Sequence, residues 1–184
     1  PLIAIDDECR IFAKLETHNR TGSVKDRMIE YICDLAVADG KIDPGVTTLI
    51  EATSGNTGIA LASYAASMNW ECEIIMPCNM SEERKQMMLA FGARIIETGP
   101  NEFIKAIKMR DDRIKSSNSK RYFSPLQFSN PLNVECHMTT TAPEIHRNII
   151  DNRPLRCEAF VHGSGTGGTM MGVKKYIDQN NLDV

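Results

Sequence analysis

Three short loops, rich in glycine and hydroxyl residues, hold most of the chemistry this sequence can perform. The most glycine-rich spans residues 163–169 (Gly163-Ser164-Gly165-Thr166-Gly167-Gly168-Thr169) and precedes a helical pattern. Glycines let successive N–H groups turn toward one point, threonine hydroxyls add donors, and the helix N-terminus adds positive potential, which together make a phosphate cradle. It holds no basic residue and matches neither Gly-x-x-x-x-Gly-Lys-Ser/Thr nor a dinucleotide fingerprint, so a small phosphorylated cofactor fits it best. The second loop, Thr53-Ser54-Gly55-Asn56-Thr57-Gly58, offers hydroxyls, an amide and backbone donors where a helix begins, a nest suited to a carboxylate. In the third, Thr21-Gly22-Ser23-Val24-Lys25-Asp26-Arg27, Ser23 is the expected N-cap and Asp26 its reciprocal partner at the third helical position. Lys25 then falls in the first turn, where the macrodipole disfavours a cation. A Schiff-base lysine gains there, because the same surroundings favour its reactive neutral form. Taken singly, each loop has a plainer reading: a glycine-rich turn, a helix capped by Ser54 or Asn56, and an exposed lysine. Taken together they are what a pyridoxal phosphate enzyme acting on an amino acid needs, the cofactor supplying the electron sink and the protein the lysine, the phosphate grip and the orientation.

The elements that must position these loops alternate between short apolar runs and longer helical patterns. Strands are expected at 10–16, 47–52, 72–76, 94–97, 121–123 and 158–162. Helices are expected at 24–39, 57–68, from Ser81 to just before Gly92, at 103–115, over 134–150 with an interruption near Pro143, and at 167–177. Alternation of this kind predicts an α/β fold, a mainly parallel sheet covered on both faces with ligands at the carboxyl ends of its strands. Lobe boundaries are expected near Pro44-Gly45 or residues 116–119.

The 184 residues carry 21 Lys+Arg against 24 Asp+Glu, and that near balance, with no basic stripe, argues against a nucleic-acid or anionic-membrane partner. The mixed run 105–120, with Arg110, Asp111, Asp112, Arg113 and Lys115, reads as a solvated helix face. No apolar run reaches the roughly 18 residues that span a bilayer, and the first residues lack the regions of a signal peptide, so a cytoplasmic protein is expected. The six cysteines form no Cys-x-x-Cys pair and read as free thiols or small buried hydrophobes; the four histidines lack zinc-ligand spacing, so no metal is expected.

Ordered blocks along the chain resemble a known family. They are Lys14-Leu15-Glu16, Asn19, residues 21–27, Glu51-Ala52 with residues 53–58, Met80-Ser81-Glu82-Glu83-Arg84, Gln127-Phe128-Ser129-Asn130-Pro131, Thr140-Thr141-Ala142-Pro143-Glu144-Ile145 and Gly165-Thr166-Gly167-Gly168-Thr169. The family is cysteine synthase (O-acetylserine sulfhydrylase), of the tryptophan-synthase-β-like, fold type II class of pyridoxal phosphate enzymes. The resemblance implies a three-layer parallel-sheet fold of two lobes with the cofactor between them. Residues 1–44 and 126–184 would belong to the larger cofactor lobe and 45–125 to the smaller lobe that closes on substrate, the fold being incomplete at both ends and lacking its C-terminal part.

It implies that Lys25 holds the cofactor and removes the substrate α-proton, that Asn56 bonds the ring hydroxyl, and that Gly165, Thr166, Gly167, Gly168 and Thr169 hold the phosphate. Thr53, Ser54, Thr57 and Gln127 would grip the α-carboxylate. The implied reaction is β-replacement of the acetate of O-acetylserine by sulfide or thiosulfate in cysteine biosynthesis, by a homodimer that also binds serine acetyltransferase. The alternative within the class is a cystathionine β-synthase core or an O-phosphoserine-using enzyme, which the loop 53–58 does not separate from it, and a catalytically silent module that binds the acetyltransferase tail is the reading of another class. Ile50-Glu51-Ala52-Thr53 and Pro77 with Asn79-Met80-Ser81 resemble the B form, whereas the glycine-rich loop resembles the A form, and the resemblance leans to cysteine synthase B. Arg20 and Ala142 depart from the family's usual proline and glycine.

Overall fold

The computed structural model describes residues 1–6, 11–116, 121–150 and 157–182. They fall into two compact units, one of Asn19–Leu126 and one of Pro1–His18 with Gln127–Val184.

The first unit is built on four parallel strands, β3 (Thr48–Ala52), β4 (Cys72–Pro77), β5 (Arg94–Thr98) and β6 (Tyr122–Phe123), in the spatial order β5-β4-β3-β6. β4 is buried at all six positions, which explains why, Glu73 apart, it is apolar on both faces rather than alternating. The crossovers are α2 (Asn56–Met68), α3 (Glu82–Ala90) and α4 (Phe103–Ser116). α1 (Lys25–Ala38) precedes β3, packs on α2 and buries Met28, Ile29, Ile32, Cys33 and Ala36. Its chain turns away at Gly40, whose φ of +67° suits a residue without a Cβ.

α2 is apolar almost all round, as a helix buried on most sides must be. Gly58 lets it approach closely, since a Cβ there would stand 2.7 Å from Met88 Cε and 3.1 Å from Thr53 Cγ2. On α4, Ala106, Met109 and Ile114 join Ile50, Ala52, Ile75, Ile96 and Tyr122 in one apolar cluster. Burying such side chains contributes about 1.5–3 kcal/mol each relative to leaving them in water.

The charged run on α4 departs from the solvated face expected of it. Arg110 is buried and Arg113 half-buried, and their guanidinium groups stand 2.7 Å from the buried carboxylates of Glu51 and Glu73, respectively. Arg94 also pairs with Glu73. A run of alternating charge does not say which of its members faces a sheet, and here two of them do.

In the second unit, β1 (Leu2–Asp6) pairs antiparallel with β2 (Ile11–Lys14), with a register shift between Ala4 and Asp6. β1 lies where the sequence pattern predicts no strand. Lys14 Nζ lies 2.7 Å from Glu144 Oε2 and 3.4 Å from Glu16 Oε1, which ties β2 to α6 (Ala142–Ile150). Ahead of α6 run α5 (Leu132–Cys136) and a π-helical segment, His137–Thr141. This is the interruption expected near Pro143. A proline there cannot donate to the carbonyl four residues back and its ring crowds that carbonyl, so the backbone widens before it. α7 (Gly168–Gln179) packs on the π segment through Gly172, where a Cβ would meet Val134 O at 2.7 Å and Met138 N at 2.9 Å. Between α6 and α7, His146 Nδ1 and Tyr176 Oη are 2.8 Å apart.

The strand expected at 158–162 is not formed: residues 157–164 carry no regular structure. A strand exists through its ladder, and no described strand pairs with these residues. Among the described residues no helix is long and apolar enough to cross a membrane.

Candidate active site

The strand order places one reversal in the sheet. From β3 the chain winds through β4 to β5 at one edge, then returns to β6 on the other side of β3. In open parallel sheets the crevice at such a reversal, outside the carboxyl ends of the strands, is where ligands bind. The loop leaving β3 is Thr53-Ser54-Gly55, and the loop leaving β6 is Ser124-Pro125-Leu126, followed at once by Gln127.

Glu51 joins these two loops. Wholly buried near the end of β3, it accepts from Arg110 Nη1 at 2.7 Å and Ala52 N–H at 2.9 Å through Oε1. Through Oε2 it accepts from Leu126 N–H at 2.9 Å and Ser124 Oγ at 3.2 Å. Burial works against the Arg110 charge, but the attraction and hydrogen bonds of Glu51 and Asp111 together outweigh it, and the guanidinium pKa is raised. Leu126 has φ +53°, a left-handed conformation that a side chain disfavours and that its bond to Glu51 helps to hold. In the sequence Glu51 stands within a strand and a family-like block with no role attached; the available signal was a lone acid inside the otherwise apolar run Leu49-Ile50-Glu51-Ala52.

Among the described residues no hydrogen bond engages the side chain of Ser54 or Asn56, and α2 has no side-chain cap. Its N-cap is Gly55, whose own N–H donates to Thr53 Oγ1 at 3.3 Å. The plainer reading, a helix capped by Ser54 or Asn56, is therefore excluded. Asn56 is exposed at the first helical position and Thr57 buried behind it. The result is a helix N-terminus with its positive end and an uncommitted hydroxyl and amide, able to take an anion.

Lys25 is the first residue of α1. The N-cap position is Val24, so the cap lies one residue later than Ser23 and Asp26 is the second helical residue, not the third. The reciprocal bonding survives this shift: Ser23 Oγ accepts from Lys25 N–H at 3.2 Å, and Asp26 Oδ2 accepts from Ser23 N–H at 3.4 Å and Thr21 N–H at 2.9 Å. Arg20 Nη1 donates to Ser67 Oγ at 2.9 Å and ties the same loop to α2. The Lys25 side chain has no ion-pair or hydrogen-bond partner among the described residues. Burial holds its amine below the ordinary lysine value of 10.5, which favours the neutral nucleophile. The plainer reading of an exposed lysine does not hold.

Lys25, Thr53, Ser54, Asn56 and Thr57 belong to the unit Asn19–Leu126, whereas Gln127 and residues 165–169 belong to the other. Gln127 is buried and its carbonyl accepts from Asn133 Nδ2 at 2.9 Å. Gly167 is the N-cap of α7 at φ +79°, a conformation that glycine adopts freely. A Cβ on Gly165 or Gly167 would meet nothing within 4 Å, so the turn stands open. Thr166 Oγ1 accepts from Gly168 N–H at 3.3 Å, and Thr169 Oγ1 lies 3.3 Å from Nε2 of the fully buried His137. An open turn of glycines and hydroxyls ahead of a twelve-residue helix has the donor set of a phosphate monoester site, and a desolvated unpaired lysine has the chemistry to capture an aldehyde. These residues fit pyridoxal phosphate.

The family model for pyridoxal-phosphate dependent enzymes matches residues 1–184. The chain belongs to this family. It is 39% identical over 181 residues to a cysteine synthase of Staphylococcus aureus, a match that covers 97% of this chain and 56% of that protein. Among solved structures it superposes on a hydrogen sulfide-producing enzyme of Fusobacterium nucleatum with a TM-score of 0.86 at 40% identity, covering 93% of this chain and 51% of that one. An O-acetylserine dependent cystathionine β-synthase of Helicobacter pylori gives 0.80 at 40% identity, covering 91% and 53%. The chain thus spans about half the length of the relatives it matches.

Proposed function

We propose that the intact protein is a cysteine synthase, which replaces the acetate of O-acetyl-L-serine by sulfide or thiosulfate to give L-cysteine or S-sulfocysteine. The observation that carries this reading is Lys25: a desolvated amine at the start of a helix, without a partner among the described residues, in a chain of the pyridoxal-phosphate dependent family. When bound, the cofactor supplies the electron sink that makes the substrate α-proton removable.

The rest is work for the chain's own residues. Lys25 holds the cofactor and its neutral Nζ takes the α-proton; the Cβ–O bond breaks with its electron pair leaving on acetate, a Cβ–S bond forms from the incoming sulfur anion, and Nζ returns the proton. Thr53, Ser54, Thr57 and Gln127 bind the α-carboxylate, whose charge the α2 N-terminus complements. Asn56 bonds the cofactor's ring hydroxyl, and Gly165, Thr166, Gly167, Gly168 and Thr169 hold its phosphate. In this proposal 1–44 and 126–184 act as the cofactor lobe and 45–125 as the lobe that closes on substrate and excludes water. Homodimerisation, capture of a serine acetyltransferase tail and a cytoplasmic location belong to the same proposal.

The Helicobacter pylori relative favours a second reading, in which a thiol amino acid is the nucleophile. Turnover of O-acetylserine by the intact protein with sulfide, thiosulfate and homocysteine separates the two. Preference for sulfide or thiosulfate supports the first reading, preference for homocysteine the second, and binding of a tail peptide without any turnover removes both.

A further inference from the structure

Asn133 lies on α5, outside the glycine-rich turn, and is 3% exposed. Its Nδ2 donates to the carbonyl of Gln127 at 2.9 Å and to Thr166 Oγ1 at 3.0 Å, so one amide bonds both a predicted carboxylate-binding residue and a predicted phosphate-binding one. Its Oδ1 is buried and has no hydrogen-bond partner among the described residues. The same amide fills the space beside Gly168, where a Cβ would stand 2.7 Å from Nδ2, so α7 can begin only with a residue lacking a side chain. A buried acceptor left without a donor is disfavoured, and an apolar residue of equal shape would avoid it. The amide is retained, then, for its donor end.

At Thr166 that donor has a directional effect. A hydroxyl oxygen has two lone pairs and one proton. Thr166 Oγ1 accepts from Asn133 Nδ2 and from Gly168 N–H, so both lone pairs are committed and the hydroxyl proton is left to point at another acceptor. We propose that Asn133 is a positioning residue for the phosphate turn: by donating to Thr166 Oγ1 it makes that hydroxyl an obligate donor to a phosphate monoester, while fixing the Gln127 backbone beside it. This inference rests on the reading of residues 165–169 as the cofactor's phosphate site.

The test compares pyridoxal phosphate with pyridoxal, which lacks only the phosphate, by titrating each into the cofactor-free intact protein and following visible absorbance. Asn133→Leu and the near-isosteric Asn133→Asp both remove the donor, and the comparison uses whichever retains the native circular dichroism spectrum. The affinity for pyridoxal phosphate falls about tenfold while that for pyridoxal is unchanged. Thr166→Val gives the same selective loss, Thr166→Ser restores it, and adding Thr166→Val to an Asn133 variant costs little more. Equal losses for both ligands, or additive losses in the double variant, overturn the role assigned to Asn133. A wild-type protein that binds both ligands equally overturns the phosphate-site reading itself, a result visible before any variant is made.

Discussion

Replacing Glu51 by glutamine tests how the crevice at the sheet reversal is held. The wild-type carboxylate accepts four hydrogen bonds, from Arg110 and Ala52 at one oxygen and from Ser124 and Leu126 at the other. Glutamine keeps one acceptor oxygen and turns the other into a donor, so whichever way it lies an N–H₂ group faces either the guanidinium or the two donors of the β6 loop. A hydrogen bond involving a charged group is worth about 1.5–3 kcal/mol, and removing one partner of a buried ion pair costs about 3–5 kcal/mol. Side chains 1% and 10% exposed leave water little room to compensate. Glu51→Gln is therefore expected to destabilise by about 3 kcal/mol, a loss that a protein with 5–15 kcal/mol of stability survives. Urea unfolding at pH 7 measures it, alongside Arg110→Met and the double variant. Arg110 keeps Asp111 at 2.8 Å in the single variant, but its Nη1 loses the buried partner; because the double variant removes that orphaned donor, its loss should be smaller than the sum of the single losses. A change below about 0.5 kcal/mol for Glu51→Gln, or strict additivity, would refute the argument that this carboxylate clamps the two loops.

Two more outcomes follow from the same structure. Gly172→Ala would drive a Cβ to 2.7 Å from Val134 O and 2.9 Å from Met138 N, both backbone atoms that cannot swing aside, so α7 should lose about 1–3 kcal/mol of packing, read as a lowered urea midpoint. Lys25 ties stability to pH: its folded pKa lies below the 10.5 of the free side chain, so between the two values the unfolded chain binds more protons and stability rises with pH. The desolvation cost is fully present below the folded pKa and is gone above 10.5, so Lys25→Met should stabilise the cofactor-free protein at pH 7 by an amount that vanishes as pH approaches 10.5. A gain that does not change with pH would contradict this.

Much of the first unit was legible because its signals are local. Apolar runs such as Leu49-Ile50 and Ile74-Ile75-Met76, set between loops and 3.6-period segments, specify a buried parallel sheet and its crossover helices with little else required. What sequence could not show depends on partners far along the chain. Glu51 and Arg110 are 59 positions apart and look like an isolated acid and a surface base until the fold joins them. β1 went unnoticed because its pattern runs between exposed and half-buried, without the buried face that gives a strand its signature. Residues 158–162 have the composition of a strand, but composition cannot supply the neighbour that makes a ladder. The chemical residues themselves were readable as types at spacings. Asn133 and His137 were not, since an asparagine and a histidine amid a helical pattern carry no mark of the hydroxyls they meet.

The central claim is that Lys25 is the residue that captures pyridoxal phosphate. Adding the cofactor to the intact protein and recording the visible spectrum, then repeating this with Lys25→Ala and with O-acetylserine present, tests it most directly. The expected band forms with the wild type, shifts when O-acetylserine is added and is absent from Lys25→Ala. A band of equal strength in the alanine variant, or none in the wild type, would contradict it.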